Sequence, residues 1–150
     1  MEIKIICVGK IKESYLSDGI SDFTGRIRKA VPIRIIELPD EKTPQGASLL
    51  LEEKIRETEG KRILQKIEPN DHVFALCIEG KQLSTEQFSQ RIAALKKEGK
   101  ESIVFVIGGS LGLSREVTDR AQDKISFSAM TFPHQLMRLI LTEQLYRVFS

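Results

Sequence analysis

Short apolar runs separated by longer segments of mixed polarity are the main pattern along this chain. The runs span four to seven residues and consist largely of Ile, Val, Leu, Phe and Cys, as is typical of strands buried in a sheet. One stretch, residues 103–107, contains no polar residue at all. The pattern predicts five strands, at residues 2–8, 33–38, 72–78, 102–107 and 125–128.

The segments between the strands carry apolar residues at helical spacing. In residues 48–67, for example, Ile55 and Ile63 are separated by a multiple of four and fall on one helical face. Ser84 has Gln87 three residues later, which is the sequence pattern of a capping box at a helix start. The spacing predicts five helices, at residues 14–29, 48–67, 84–99, 114–122 and 133–149.

Strands and helices alternate along the whole chain, which indicates an α/β fold with a mainly parallel sheet covered by helices on both faces. The near-continuous apolar character of residues 73–78 and 103–107 predicts that these two strands lie at the centre of the sheet. The sequence has no internal repeat and no low-complexity segment. Residues 1–150 are therefore expected to form a single domain.

Glycine-bearing loops follow two of the predicted strands, where ligands lie in an open parallel sheet. Their sequences are LCIEGK at residues 76–81 and VIGGSLG at residues 106–112, and a third, polar loop covers residues 126–134. These three loops are expected to converge on one pocket. Because glycine permits close approach to the backbone, free amides and carbonyls in them are expected to hold a ligand. The alternative for the glycines is a plain tight turn, and glycine content alone does not separate the two.

Known phosphate-binding motifs do not account for the glycine loop. Gly108, Gly109 and Gly112 lack the first spacing of the dinucleotide fingerprint, and no Lys-Ser or Lys-Thr pair completes a P-loop. The sequence also shows no Ser-His-Asp or Cys-His set for nucleophilic catalysis. These patterns therefore leave the ligand open.

The cysteines, histidines and net charge narrow the possible functions. Cys7 and Cys77 both fall in predicted strands and are expected to be buried thiols, as in a protein of the reducing cytoplasm. His72 and His134 are far apart and have no cysteine near enough to complete a ligand pair, so no metal site is predicted. A formal net charge of +2 neither requires nor excludes a nucleic-acid partner.

The two ends of the sequence bear on location and assembly. The amino terminus has no basic segment before its apolar run, which argues against a signal peptide, and no run approaches the ~18 apolar residues of a membrane span. The last helix has a broad apolar stripe, which is expected to serve both the core and a partner helix. Arg138 and Arg147 are expected to form a solvated or dimer-facing ion-pair network with Glu143, and His134 could cap this helix.

Three segments together resemble one known family. They are VIGGSLGL, IEGKQLSTEQF and SFSAMTFPHQLMRLILTEQLYR, and the stretches IICVGKIKESYL and IIELPDEKTP fit it as well. Over essentially its whole length, the sequence is similar to the SPOUT-class methyltransferases that modify N3 of a pseudouridine in large-subunit ribosomal RNA. The segment SFSAMTFPHQLMR is highly specific to that family.

The resemblance implies a fold, a cofactor and a set of site residues. The fold is α/β with a C-terminal trefoil knot, which departs from the usual unknotted chain. The cofactor is S-adenosylmethionine, held by backbone groups of three loops, and the enzyme works as a homodimer on ribosomal RNA within the assembled ribosome. Carried onto this sequence, the cofactor-binding positions are Leu76, Gly108, Phe127, Ser128, Ala129, Met130, Thr131 and Phe132. The candidate catalytic residues, for proton handling and RNA contact, are His134 and Arg138.

The end of the sequence departs from the family pattern. In the family, the chain continues past the last helix into a short tail ending in Gly, Tyr, His and a basic residue, whereas this sequence ends at Ser150. Three hypotheses therefore stay open: a ribosomal RNA methyltransferase, a cofactor-binding remnant that is inactive without the tail, and a non-catalytic flavodoxin-like module. The first two predict an adenosyl ligand held mainly by backbone groups, and the third predicts a phosphate-type ligand at a helix N-terminus.

Overall fold

The computed structural model describes residues 1–150 and confirms the predicted order of five strands and five helices. The strands are β1 (Glu2–Val8), β2 (Ile33–Leu38), β3 (His72–Gln82), β4 (Ser102–Ile107) and β5 (Asp123–Ser126). The helices are α1 (Ser14–Ile27), α2 (Leu49–Leu64), α3 (Thr85–Lys97), α4 (Arg115–Arg120) and α5 (His134–Phe149). β3 is longer than the predicted strand, and β5 begins and ends two residues earlier than predicted.

All five strands are parallel, and they lie in the order β2-β1-β4-β3-β5. β4 is therefore at the centre, as its apolar sequence predicts, with β1 and β3 on either side. The apolar parts of these three strands are buried because helices cover both faces of the sheet. The sequence pattern placed β3 and β4 together at the centre but did not identify β1 as the other neighbour of β4.

Successive residues of the central strands point to opposite faces of the sheet and form two separate apolar clusters. On one face, Ile5, Phe74 and Phe105 pack with residues of α1, α3 and α5, and the rings of Phe74 and Phe105 stack with centroids 4.9 Å apart. On the other face, Ile6 and Val104 pack with residues of α2 and α4. Burial of each such side chain contributes roughly 1.5–3 kcal/mol, so the two clusters are the main source of stability.

The ends of the helices follow the local sequence. The Ser84 hydroxyl accepts a hydrogen bond from the Gln87 amide, while the Gln87 side chain accepts one from the Ser84 amide, so the predicted capping box is confirmed. Gly99 follows α3 with a φ of +84°, a left-handed conformation that glycine adopts without steric cost. None of the five helices combines the length and the apolar character that crossing a bilayer requires.

Charged side chains form ion pairs at the amino end of the sheet. Lys4 and Asp71 are buried and form an ion pair of 3.0 Å from Nζ to Oδ2. Next to them, the carboxylate of Asp123 on β5 lies 2.6 Å from Nε2 of His72 and accepts a hydrogen bond from Arg91 at 3.0 Å. These five side chains satisfy one another without a ligand.

The two cysteines differ in burial. Cys7 on β1 is fully buried, and burial raises the pKa of its thiol to about 12. Cys77 on β3 is only half-buried, because it lies where this strand reaches the open end of the sheet. The expectation of a buried thiol is therefore right for Cys7 and wrong for Cys77.

Candidate functional site

Three loops at the carboxyl end of the sheet enclose a cavity of ≈ 730 Å³. They follow β3, β4 and β5, as the sequence pattern predicts, because the carboxyl ends of parallel strands meet at one end of the sheet. About half of the lining residues are apolar, and the volume is typical of small-molecule sites. The predicted site residues that line the cavity are Leu76, Gly108, Phe127, Ser128, Met130, Thr131, Phe132 and His134. Ala129 and Arg138 do not line it.

The loop after β4 is both a tight turn and a cavity wall. The Gly112 amide donates to the Gly109 carbonyl at 3.0 Å, and Gly112 has a φ of +84°. A Cβ added to Gly108 would lie 2.8 Å from the carbonyl carbon of Gly112, which is closer than such atoms approach. The glycines therefore allow the loop to close on itself, and the closed loop presents backbone to the cavity.

Serine hydroxyls shape the loop after β5. The Ser126 hydroxyl donates to the Ser128 carbonyl at 2.8 Å, and the Ser128 hydroxyl accepts a hydrogen bond from the Met130 amide at 2.9 Å. These local bonds hold the loop in a bent conformation without regular secondary structure. Met130 lines the cavity although it is 70% exposed, so an apolar side chain stands at the mouth of the cavity.

Residues 76–79 form a cavity wall, as the sequence predicts for residues 76–81, but they do so as part of a bulged continuation of β3 rather than as a loop. Leu76 and Lys81 both pair with Ile125 of β5, so the residues between them bulge out of the ladder. A Cβ on Gly80 would lie 2.6 Å from the carbonyl carbon of Ile125, so only glycine fits where the two strands meet. The bulge brings Glu79 to the cavity.

His134 is the first residue of α5 and lines the cavity. The N-cap of this helix is Pro133, without a side-chain cap, so His134 does not cap it. Nε2 of His134 lies 3.7 Å from the position that a Cβ on Gly9 would occupy, at the carboxyl end of β1. Burial, and after it the charge of Arg138, lower the pKa of the imidazole below its usual 6.5. At neutral pH the ring is therefore mostly neutral and able to accept a proton.

Arg138 lies one turn further along α5 and is only 2% exposed. Its guanidinium donates to the Glu37 carboxylate at the end of β2 and to the Gly9 carbonyl at 3.1 Å, while its Nε is buried without a partner. The expected surface network is therefore wrong for Arg138, whereas Arg147 and Glu143 do form an ion pair on the helix surface. Arg138 fixes α5 to the ends of two strands and does not face the cavity.

Two residues of α2 belong to this region and were not predicted from the sequence. Arg56 lines the cavity, and Glu59 is buried with its carboxylate accepting the Glu41 amide at 2.9 Å. A Cβ on Gly109 would lie 3.3 Å from the same carboxylate, so Glu59 also touches the loop after β4. Burial is the main cause that raises the pKa of Glu59. The sequence feature that could have indicated this contact is Gly60. A glycine inside a helix lowers its stability, so its presence suggests that another part of the chain approaches closely there.

Backbone and apolar groups, rather than a cluster of metal ligands, characterise this cavity. No three His, Cys, Asp or Glu side chains lie close enough together to hold a metal ion. The loops after β4 and β5 offer amides and carbonyls, and the apolar side chains between them offer surface for a flat ring. Such walls suit a nucleoside-like ligand, whose base has apolar faces and polar edges.

Comparison with known proteins identifies relatives over the whole chain. Residues 1–150 match a family model described as a predicted SPOUT methyltransferase. The chain is 55% identical to the ribosomal RNA large subunit methyltransferase H of Streptococcus uberis, and 54% identical to the protein of that name from Exiguobacterium sibiricum. The protein of that name from Bacillus cytotoxicus is 52% identical. Each match covers 99% of this chain and 94% of the relative.

Proposed function

The chain belongs to the SPOUT methyltransferase family, and we propose that it transfers a methyl group from S-adenosylmethionine to N3 of a pseudouridine in large-subunit ribosomal RNA. Membership of the family makes it an enzyme that uses a methyl donor. The names of its relatives support ribosomal RNA as the substrate. The observation that carries the proposal is the convergence of three loops on one cavity with walls of backbone and apolar groups.

The cavity suits S-adenosylmethionine in size and in chemistry. A volume of ≈ 730 Å³ is sufficient for a nucleoside with an amino-acid tail. In the proposal, the cofactor is held by Leu76, by Gly108 and by residues 127–132. Within that last segment Ala129 does not line the cavity, so its contribution is to the path of the loop rather than to direct contact.

Methylation of a ring nitrogen requires that the nitrogen lose its proton and lie in line with the methyl group. S-adenosylmethionine supplies, when bound, an electrophilic methyl group on a sulfonium centre. We assign the proton to His134, because it lines the cavity and its lowered pKa keeps the ring neutral at pH 7. Arg138 takes part indirectly, since it holds α5, and with it His134, against Gly9 and Glu37.

A homodimer formed through α5 is part of the proposal. Leu136 and Ile140 are half-buried and share one helical face with Glu143 and Arg147. A second copy of the chain covers the two apolar side chains and leaves the ion pair at the rim of the contact. With a net charge of only +2, recognition of the assembled ribosome relies on shape and on both subunits more than on many phosphate contacts.

The trefoil knot and the cytoplasmic location complete the proposal. The knot is supported by the family to which the chain belongs. It is the exception to the rule that chains do not thread through their own loops. The location is supported by the substrate, since assembled bacterial ribosomes lie in the cytoplasm.

Calorimetric titration with S-adenosylmethionine and S-adenosylhomocysteine tests the cofactor. We expect both to bind, and Gly108→Ala to weaken both by about tenfold or more because the added Cβ forces the loop to move. Gly25→Ala is the matched control, since no atom lies within 4 Å of a Cβ there. Binding of flavin mononucleotide in place of these ligands would support the flavodoxin-like alternative.

Methyl transfer to assembled ribosomes that lack the modification tests the substrate. We expect one methyl group per ribosome, at a pseudouridine, as read by mass spectrometry of the digested RNA. His134→Asn should slow transfer by about 10²–10⁴-fold, the range for a general base, while cofactor binding persists. Cofactor binding without any transfer by the unmodified chain would support the inactive remnant.

A further inference from the structure

A carboxylate lies beside the imidazole of His134, outside the cavity. Two side chains approach within 4 Å of the position that a Cβ on Gly9 would occupy: Nε2 of His134 at 3.7 Å and Cγ of Asp40 at 4.0 Å. Gly9 has a φ of +92°, so the chain leaves β1 in a left-handed conformation and places no side chain in this space. The Asp40 carboxylate and the His134 imidazole therefore border the same small space above Gly9, without a direct hydrogen bond between them.

Asp40 is positioned by the backbone on either side of it. The carbonyl of Pro39 accepts a hydrogen bond from Arg62 at 3.0 Å, and the amide of Glu41 donates to Glu59 at 2.9 Å. The Arg62 guanidinium also pairs with the Glu41 carboxylate. Both anchors lie on α2, so this helix fixes the loop after β2 against the carboxyl end of β1.

The other charged groups at this end of the molecule that line the cavity or contact α5 come from four elements. They are Arg138 on α5, Glu37 on β2, Arg56 on α2 and Glu79 on β3. Glu37 is paired with Arg138, which leaves Asp40 as the carboxylate beside the imidazole on the Gly9 side. Its charge raises the pKa of His134, although burial and Arg138 outweigh it and leave the pKa lowered.

We infer that Asp40 is a positioning residue for methyl transfer, whose negative charge stabilises the His134 imidazole after it has taken the proton of the ring nitrogen. This inference rests on the proposed function. The proton passes from the nitrogen to the imidazole and then to water. The electron pair left on the nitrogen forms the bond to the methyl carbon, while the bond from that carbon to the sulfonium sulfur breaks and its electron pair stays on the sulfur, which leaves as a neutral thioether. A carboxylate beside the imidazole stabilises the cation formed in that step. Because Asp40 is exposed, its effect is moderate and is screened by salt.

Proton NMR titration of the ligand-free protein tests the pairing without any methyl transfer. The chain has two histidines, so their ring signals are easily assigned. Asp40→Asn should lower the pKa of the His134 imidazole, and the change should be larger in low salt than in high salt. The His72 signals should be the same in both proteins, and the exposed Asp119→Asn is the matched control. An unchanged His134 titration in Asp40→Asn would overturn the inference.

The pH profile of methyl transfer is the second measurement. Asp40→Asn should lower kcat about two- to tenfold without changing KM for the methyl donor. Its acid limb should move to lower pH in parallel with the His134 titration, because the reaction needs the neutral ring. Arg62→Ala should give a smaller change in the same direction, with the exposed Lys61→Ala as its control.

The two measurements separate failure of the inference from failure of the proposed function. Methyl transfer with an unaltered pH profile in Asp40→Asn would show that Asp40 has no part in proton handling. The NMR shift in a chain that transfers no methyl group would leave the pairing in place but overturn its role in catalysis, together with the proposed function.

Discussion

The two ends of the sheet differ in the surroundings of their charged and polar side chains. At the amino end, Lys4 pairs with Asp71, and Asp123 pairs with two further side chains. At the carboxyl end, the imidazole of His134 stands beside a cavity, and Nε of Arg138 is buried without a partner. Side chains that pair with one another add stability, whereas a titratable ring such as that of His134, which borders a cavity, remains available to a ligand. Ion pairs occur at both ends, since Arg138 pairs with Glu37 at the carboxyl end, so the cavity beside His134 is what identifies the functional end of the molecule.

The largest effect is expected from breaking the amino end. Asp71→Asn leaves the buried ammonium of Lys4 without a counter-ion, so the free energy of unfolding should fall by about 3–5 kcal/mol in urea denaturation. Replacing Lys4 by Met in the same protein should restore part of the loss. Affinity for the methyl donor should be unchanged, since the pair is at the opposite end of the sheet; a stable variant with lost affinity would contradict the comparison.

At the carboxyl end, close packing rather than charge is the sensitive feature. A Cβ on Gly60 would lie 2.2 Å from Oγ of Ser114, so Gly60→Ala should lower the free energy of unfolding by about 1–3 kcal/mol. It should also weaken binding of the methyl donor, because Ser114 follows the glycine loop. Gly25→Ala, in open space on α1, should instead stabilise by about 0.5–1 kcal/mol. Equal responses of the two variants would refute this account of Gly60.

A smaller effect should appear in acid. Burial raises the pKa of Asp123, but hydrogen bonds from Arg91 and His72 outweigh it and hold the pKa below the usual 3.8. A carboxyl group whose pKa is lowered by folding stabilises the protein at every pH above its usual pKa. This contribution is lost as the pH falls through the pKa of the folded state. Asp123→Asn should therefore destabilise by about 1 kcal/mol at neutral pH and hardly at all in strong acid. Urea denaturation at a series of pH values checks this, and parallel curves for the two proteins would argue against it.

The smallest expected effect is a change of stability with pH in a second pH range, caused by His134 at the carboxyl end of the sheet. The pKa of His134 is lowered from 6.5 in the folded protein, so the unfolded chain binds its proton first as the pH falls. Stability from this group is therefore complete above 6.5 and decreases below it. In the same urea denaturation series, His134→Asn should reduce the fall in the free energy of unfolding below pH 6.5. The fall in stronger acid that is due to Asp123 should remain. A variant that changes only the fall in stronger acid would contradict the assignment.

Local patterns were sufficient to predict much of the architecture. Residues 103–107 are uniformly apolar because β4 is buried on both faces of the sheet. Ser84 and Gln87 mark the start of α3 because a capping box involves only neighbouring residues. The meeting of the three loops followed from the same reasoning, since strands that run parallel end on the same side.

The contacts within the site join residues that are distant in the chain, and no local pattern indicates them. Arg138 has the sequence context of a surface residue, but Glu37 and Gly9 are 101 and 129 positions away from it. Glu59 is one of several charged residues along α2 and becomes buried through its contact with the loop after β2. The roles of residues 127–132 came from the family resemblance, because their backbone groups carry no side-chain signal.

One side of the cavity depends on the two elements that follow α4 in the chain. β5 and α5 are the last strand and the last helix. β5 is an edge strand of the sheet, and the loop between β5 and α5 forms a wall of the cavity. A chain that ends after α4 has the four other strands but neither that wall nor His134. Loss of β5 and α5 would therefore leave most of the sheet in place but open the cavity on the side that carries the proposed base.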